Sequence, residues 1–414
     1  MAIELPAFTA FVARMPDAEI HLAAYGSIVF AISLVIEAPV IMLLAASTAL
    51  STDWRSFQRL RRFTYALCGA LTVLHVLVAF TPLYDFVVHS LLKAPPEIVE
   101  PGRAGLRIMT PWTAAIGYRR FHQGVLIRFH HTRPVAMGTA LRLLVLFGIL
   151  EAGRLSGAAS GIVTGTAAVA CAVMAEAVFI GWAVAPVVRE RLASLASSGA
   201  PLSLRELLHF YAPLALTQVL YMLAHPMSAA AMNRMPQALP SLAAWPAVHG
   251  FLFITRSIGF AYNEVVVALL DEPGARRALR RFAWILAAAT SGTLLLLAAT
   301  PLSRVWFGTV SGLDPSLMAL SSSALVFGLL LPASAPLQSL YQGILVHARR
   351  TGGITESMAV YLAGSAAALA AGVKLQRYTG IYYALAAISL AGLLQTLWLW
   401  RRARRFTDEA AFHV

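Results

Sequence analysis

Long apolar stretches, separated by short polar or Pro/Gly-containing connections, run from one end of this sequence to the other. Most of them reach the roughly 20 residues that a helix needs to cross a hydrocarbon core about 30 Å thick. The first stretch is too short to do so. We therefore predict an all-α polytopic membrane protein with about 12 transmembrane helices and a truncated first helix. The predicted spans are residues 1–15, 24–50, 64–92, 106–129, 134–153, 157–188, 207–233, 241–270, 282–302, 315–346, 354–373 and 380–400.

The composition agrees with this class of protein. Hydrophobic residues make up 59% of the chain and charged residues only 12%, with a mean hydropathy of +0.71, whereas charged residues are about 25% of a typical soluble protein. The two cysteines, Cys68 and Cys171, lie inside apolar stretches, which excludes a disulfide framework. The sequence contains no recognisable phosphate loop, nucleotide-binding domain, metal-ligand cluster or Ser/His/Asp set. We therefore expect no enzymatic activity, no cofactor and no metal.

Basic residues outnumber acidic ones by 32 to 19, which gives a formal net charge of +13. In a membrane protein, arginines collected in cytoplasmic loops explain such an excess better than a nucleic-acid partner does. Arginines follow every even-numbered predicted span, and the other connections are nearly neutral. We therefore expect a protein of the plasma (inner) membrane, with both termini in the cytoplasm and no bound nucleic acid. Examples of these basic connections are Arg55, Arg59, Arg61 and Arg62 after the second span and Arg276, Arg277, Arg280 and Arg281 after the eighth.

Two motifs recur at nearly the same spacing. The triplet Arg-Met-Pro at 14–16 returns at 234–236, an offset of 220 residues. A Gln-Gly-x-Leu element at 123–126 returns at 342–345, an offset of 219. Helices one to six and seven to twelve are therefore predicted to be copies, and an even number of helices in each copy makes the repeats parallel in the membrane.

The repeat also predicts the domain organisation. Residues 1–188 form an N-terminal six-helix lobe, residues 189–204 a cytoplasmic linker, and residues 205–414 a C-terminal six-helix lobe. We expect residues 21–180 to superpose on 241–400, with the helices coinciding in order and direction.

One segment of the second copy has no counterpart in the first. Met1 aligns with Tyr221, so residues 209–220, which open the seventh helix, align with nothing. We therefore expect residues 1–15 to form only part of a helix and the native start to lie upstream of Met1.

Several charged residues lie in the middle of predicted spans, where a charge costs about 2.5–3.5 kcal/mol without a partner or a wet cavity. Glu37 is central in the second span, and the 220-residue offset places its equivalent beside Arg256 in the eighth. We hypothesise that these two charges pair in a central cleft and exchange with substrate or protons; the alternative is a structural ion pair between the lobes. His249, Arg256 and Asn263 are spaced by seven and share one helix face, which should meet protein or water. Glu176, a single charge in its apolar stretch, is interpreted as a packing residue.

The fourth span carries Arg119, Arg120 and Gln123 near its midpoint, whereas the tenth carries Gln338 and Ser339 at the positions of the two arginines. Positive potential is thus concentrated in the N-terminal lobe and favours an anionic substrate. The alternative is a shifted span with both arginines near the headgroups. The candidate residues for substrate or coupling are Glu37, Arg119, Arg120, Gln123, His249, Arg256, Asn263 and Gln342.

This arrangement resembles the multidrug/oligosaccharidyl-lipid/polysaccharide (MOP) exporter superfamily, in which two parallel six-helix copies carry such a Gln-Gly-x-Leu element. Residues 9–16, Thr-Ala-Phe-Val-Ala-Arg-Met-Pro, are similar to the end of the first helix in multidrug and toxic compound extrusion (MATE) transporters. Residues 124–126 with Thr132 are similar to the loop that follows their fourth helix. Residues 209–216, His-Phe-Tyr-Ala-Pro-Leu-Ala-Leu, are similar to progressive ankylosis transporters, which are associated with export of pyrophosphate, nucleotide and citrate-like anions.

The resemblance implies a secondary active exporter that alternates access between two lobes and needs no cofactor. Its expected partners are the lipid bilayer, a small organic or phosphorylated anion and a coupling ion, H⁺ or Na⁺, and the expected state is a monomer. A lipid-linked saccharide flippase and a multidrug cation antiporter are the alternatives. Proton-coupled multidrug members carry an aspartate where this chain has Phe8, and glycines where residues 129–131 are Phe-His-His. Proton coupling is therefore not assigned to that position.

Overall fold

The computed structural model describes residues 3–193, 202–270, 272–348, 350 and 352–408. Within these residues all regular structure is helical. Nine helices of the described chain are long and apolar enough to cross a membrane, and two more, which meet at a 40° bend, are together long and apolar enough to make a tenth span. The prediction of an all-α polytopic membrane protein is confirmed.

The helices form two series with the same order. In the first series, α2 begins at residue 18 and α7 at residue 133, and their counterparts α10 and α15 begin at 238 and 352. The first series is α1 Glu4–Val12, α2 Ala18–Leu50, α3 Trp54–Phe80, α4 Leu83–Leu92, α5 Pro96–Ile108, α6 Trp112–Arg128, α7 Arg133–Ser156 and α8 Gly161–Leu192. The second series is α9 Leu204–Met232, α10 Ala238–Leu269, α11 Ala275–Ala299, α12 302–310, α13 Pro315–Gly328, α14 Leu330–His347, α15 Gly352–Leu375 and α16 Gly380–Asp408.

Three predicted spans are divided in the structure, one of them the span at 315–346, which bends between α13 and α14. The span predicted at 64–92 ends at Phe80, because Thr81 is extended and Pro82 has no N–H with which to continue the helix. The span predicted at 106–129 is interrupted between α5 and α6, and each of these helices is too short to cross a bilayer alone. The twelve predicted spans therefore correspond to nine long helices, the bent pair α13–α14, the short α1 and the interrupted α5–α6.

The first helix is short, as the sequence predicts. Helix α1 has nine residues, which at 1.5 Å per residue is roughly 13 Å, less than half of the hydrocarbon thickness. Residues 209–220, which have no counterpart in α1, lie inside the longer α9.

The chain divides into two compact units, and the opening helix of each series belongs to the unit built by the other series. Unit 1 is Met15–Pro226, and unit 2 consists of Ala2–Arg14 and Met227–Val414. Within unit 1, the Tyr211 hydroxyl of α9 donates a hydrogen bond to the Pro39 carbonyl of α2. The lobe boundaries and the superposition of the two repeats remain predictions.

The glycine of the repeated Gln-Gly-x-Leu element lies at a close approach of two helices in each unit. In unit 1, a Cβ added to Gly124 of α6 would lie 2.6 Å from the carbonyl oxygen of Leu44 and 2.6 Å from the Cβ of Ser47, both in α2. In unit 2, a Cβ added to Gly343 of α14 would lie 2.6 Å from Cγ1 of Val266 in α10. Only a hydrogen atom fits at these positions, so the motif brings the corresponding helices together in both units.

Replacing Gly124 with alanine is therefore expected to destabilise the protein by about 1–3 kcal/mol, since the added methyl group meets backbone rather than a flexible side chain. Gly148 of α7 provides the matched control, because a Cβ there meets no atom within 4 Å. Gly148→Ala should be neutral or stabilising by up to about 1 kcal/mol. Unfolding in detergent would measure both variants, and equal effects would show that the close approach is not tight.

Candidate functional site

Five charged side chains from four helices of unit 1 form a cluster inside the bundle. Glu37 comes from α2, Arg119 and Arg120 from α6, Arg142 from α7 and Glu176 from α8. Arg120 is half-buried, while the other four are at most 5% exposed. We call these five residues the charge cluster.

Glu176 is the centre of the charge cluster. Its Oε1 atom accepts hydrogen bonds from Nη1 of Arg119 at 3.0 Å and from Nε2 of Gln123 at 3.1 Å. Its Oε2 atom lies 3.5 Å from Nη1 of Arg142. Because the carboxylate is fully buried, these groups replace the water that would otherwise solvate its charge. Glu176 therefore ties α6 and α7 to α8.

Arg120 interacts electrostatically with each of the other four members of the charge cluster. Glu37 and Glu176 attract it, and Arg119 and Arg142 repel it. With three arginines and two glutamates, the cluster carries a formal charge of +1 (3 − 2). Arg120 is the member of the cluster with the most exposed side chain.

In unit 2 the positions equivalent to the charge-cluster residues of α6, α7 and α8 are neutral, whereas Arg256 stands at the position of Glu37. Gln338 has replaced an arginine there, and its Nε2 atom donates to the Gly392 carbonyl at 3.1 Å and contacts Oγ1 of Thr396 at 3.2 Å. Removing one charge alone would leave its partner in a buried ion pair without an opposite charge. This explains why three charged positions of unit 1 are all neutral in unit 2. At the 219-residue offset the counterparts are Gln338 for Arg119, Tyr361 for Arg142 and Gln395 for Glu176.

The candidate residues of unit 2 are all half-buried. The ring of His249 stacks on a tryptophan four residues earlier at 5.5 Å between centroids, and the guanidinium of Arg256 lies 5.1 Å from the ring of a phenylalanine four residues later. The side-chain amide of Asn263 donates to the Ser339 carbonyl of α14 at 3.2 Å. Gln342 lies on the same helix α14. Because Glu37 belongs to unit 1 and Arg256 to unit 2, their pairing remains a prediction.

Sequence reasoning missed Arg142 and overlooked the partners of Glu176. Arg142 shares α7 with other charged residues, Glu176 is the one charge in the predicted span 157–188, and their partners are distant in sequence, so neither stood out. The signal was present in the repeat, because the 219-residue offset places the neutral residues Tyr361 and Gln395 at these two positions.

No protein-family model and no curated protein matches this sequence, but solved structures are similar over nearly the whole chain. An inward-facing multidrug resistance MATE family transporter of the MOP superfamily is 14% identical with a TM-score of 0.71, covering 99% of this chain and 96% of that one. The lipid II flippase MurJ, in an inward closed conformation, is 13% identical with a TM-score of 0.73, covering 97% and 86%. This chain therefore has a MATE-like fold, shared with these structures.

A further MOP-superfamily structure differs in its binding pocket. This transporter from Pyrococcus furiosus is 15% identical with a TM-score of 0.60, covers 98% of this chain and 94% of that one, and is described as having a binding pocket of reverse polarity and a different function. The comparisons confirm the MATE-like fold that the sequence resemblance implied. The more specific resemblance to progressive ankylosis transporters remains a prediction.

Proposed function

We propose that this chain is a secondary active transporter that carries small organic or phosphorylated anions by alternating access between two lobes. The charge cluster carries this proposal, because its formal net charge is positive and an arginine, Arg120, is its most exposed member. Arginine suits such substrates, since its planar guanidinium donates paired hydrogen bonds to carboxylates and phosphates. The MATE-like fold supports the class of transporter.

The remaining parts of the proposal concern location and coupling. We place the protein in the plasma (inner) membrane as a monomer, with both termini in the cytoplasm, because the basic connections alternate with nearly neutral ones. Phe8 of α1 is fully buried and cannot exchange a proton, so Glu37, which is attracted to Arg120, is the candidate for coupling to H⁺. The resemblance of residues 209–216 to progressive ankylosis transporters supports an anion as cargo.

A lipid-linked saccharide flippase is the second candidate. The similarity to lipid II flippase MurJ favours it, with a TM-score of 0.73 over 97% of this chain. A multidrug cation antiporter is less well supported, because a cation would be repelled by a cluster whose net charge is positive.

Uptake by vesicles that contain the purified protein tests the proposal. We expect labelled pyrophosphate or citrate to accumulate when a proton or sodium gradient is imposed, and labelled tetraphenylphosphonium, a hydrophobic cation, to behave as in protein-free vesicles. Accumulation of the cation alone would overturn the proposal. Transfer of a fluorescent lipid-linked saccharide between leaflets, without anion uptake, would establish the flippase instead.

A further inference from the structure

A pocket of about 360 Å³ opens in unit 2 where α10, α11, α14 and α16 come together. It is strongly basic, and none of the described residues that line it is acidic. Its volume is at the lower end of the range for small-molecule sites. The basic side chains are Arg276, Arg277, Arg280, His347 and Arg404, and the other lining residues are Leu270, Leu340, Tyr341, Ile344, Ala348, Trp400 and Ala403.

The floor of the pocket is part of the buried core of unit 2. Leu340 and Ala403 are 2% and 1% exposed and belong to one hydrophobic cluster with residues of α10 and α11. The Tyr262 hydroxyl of α10 donates to the Leu279 carbonyl of α11 at 2.7 Å, which fixes these two helices below the arginines. The pocket is thus built on packed helices, with an apolar base and a cationic rim.

The base of this pocket differs from the equivalent position in the first series of helices. At the 219-residue offset Phe121 stands where unit 2 has Leu340. Phe121 is fully buried and stacks on Phe57 with 5.4 Å between ring centroids. In unit 1 a buried aromatic pair thus includes the position that the smaller Leu340 occupies in unit 2.

We propose that this pocket binds a phosphorylated anion, with the phosphate held by the arginines and the attached apolar group against Leu340 and Trp400. Clustered arginines match the charge and the donor geometry that a phosphate needs. The arginines at 276–280 follow an even-numbered predicted span, on the side of the membrane assigned to the cytoplasm, where anionic headgroups attract basic pockets between helices. A phospholipid headgroup and a free phosphate ester share this chemistry. The proposal does not depend on the transported substrate, since the charge cluster lies in unit 1.

Direct binding to the purified full-length chain in a neutral detergent separates the two sources. The probes are dioctanoyl phosphatidic acid, glycerol 3-phosphate and, as a zwitterionic reference, dioctanoyl phosphatidylcholine. Tighter binding of phosphatidic acid than of glycerol 3-phosphate by about tenfold or more identifies a lipid site, because only the lipid adds apolar contact. Comparable binding identifies a site for a free phosphate ester. Absence of binding by both phosphate probes, or equally tight binding of phosphatidylcholine, overturns the proposal.

Matched double variants assign the binding to the pocket. Replacing Arg276 and Arg280 with glutamine should weaken phosphate binding by about tenfold or more, as expected for loss of charge-assisted hydrogen bonds. The control replaces Arg55 and Arg59, exposed arginines at the start of α3, with glutamine; it makes the same change in net charge and should leave binding within about twofold. Ala348→Trp, which narrows the pocket without removing charge, should also weaken binding. The assignment is contradicted if the control weakens phosphate binding as much as the pocket double variant does. It is also contradicted if neither Ala348→Trp nor the pocket double variant weakens phosphate binding.

Discussion

Glu176→Gln is expected to lower the free energy of unfolding by about 3–5 kcal/mol, because it removes the central anion of a buried ion cluster and leaves its cations in place. Arg119, which is 2% exposed and 3.0 Å from the carboxylate, would lose its charged partner. Arg142 at 3.5 Å would lose the same partner. Glutamine preserves the size of the side chain, so the loss reports charge rather than a cavity. Thermal or chemical unfolding in detergent would measure it.

Two further variants show whether the loss of stability comes from unbalanced buried charge or follows from any Glu→Gln substitution in these helices. Glu151 pairs with Arg154 at 2.6 Å on the exposed side of α7, so Glu151→Gln should cause a much smaller loss, as solvent screens exposed pairs. The triple variant Arg119→Gln, Arg142→Tyr, Glu176→Gln introduces the neutral residues that unit 2 has at the equivalent positions. It should recover a large part of the stability that Glu176→Gln loses. A Glu176→Gln variant as stable as Glu151→Gln would show that the cluster is not paired as described.

The sequence predicts the membrane class and the repeated order of the helices because both depend on local properties. Runs of apolar residues determine the spans. The Gln-Gly-x-Leu element around Gly124 recurs around Gly343, which predicts the repeat, and the two series of helices in the structure have the same order. The breaks were harder to predict. The residues before Thr81 and those from Leu83 to Leu92 are both largely apolar, and Pro82 is the main sign that the helix ends between them. Hydropathy alone therefore joined helices that the structure separates.

The candidate site was predicted in part. Arg119, Arg120 and Gln123 follow one another along α6, and their polarity in an apolar helix made them conspicuous. Arg142 and Glu176 contribute to the cluster only through helix packing, because each comes from a different helix. A single chain indicates which charges are out of place in a membrane, whereas their partners become evident only when the helices are assembled. The comparison of the two repeats at a fixed offset is the one sequence signal that groups them.

Arg120→Gln should reduce anion transport by about tenfold or more while leaving the fold intact. It lowers the formal charge of the cluster from +1 to 0 (2 − 2) and leaves the contacts of Glu176 with Arg119 and Arg142 in place, so its effect on substrate should exceed its effect on stability. Arg120→Lys retains the charge but lacks the planar pair of donors, so its rate of anion transport should lie between that of Arg120→Gln and that of the unsubstituted protein. Arg154→Gln on the exposed side of α7 is the control and should transport normally. Unchanged uptake by Arg120→Gln would exclude the cluster from substrate binding.

Glu37→Gln tests the coupling step by the pH dependence of the same uptake. If protonation of Glu37 frees a cation for the substrate, the permanently neutral glutamine should leave transport nearly independent of pH, at a rate set by the imposed substrate gradient. Arg120 is the cation that the structure places within electrostatic reach of Glu37, and Arg256 is the one that the repeat predicts. Combining Glu37→Gln with Arg120→Gln or with Arg256→Gln separates them, because a double variant should be non-additive only for the arginine that Glu37 controls. A pH profile of Glu37→Gln that matches the unsubstituted protein would exclude this carboxylate from coupling, whichever arginine binds the anion.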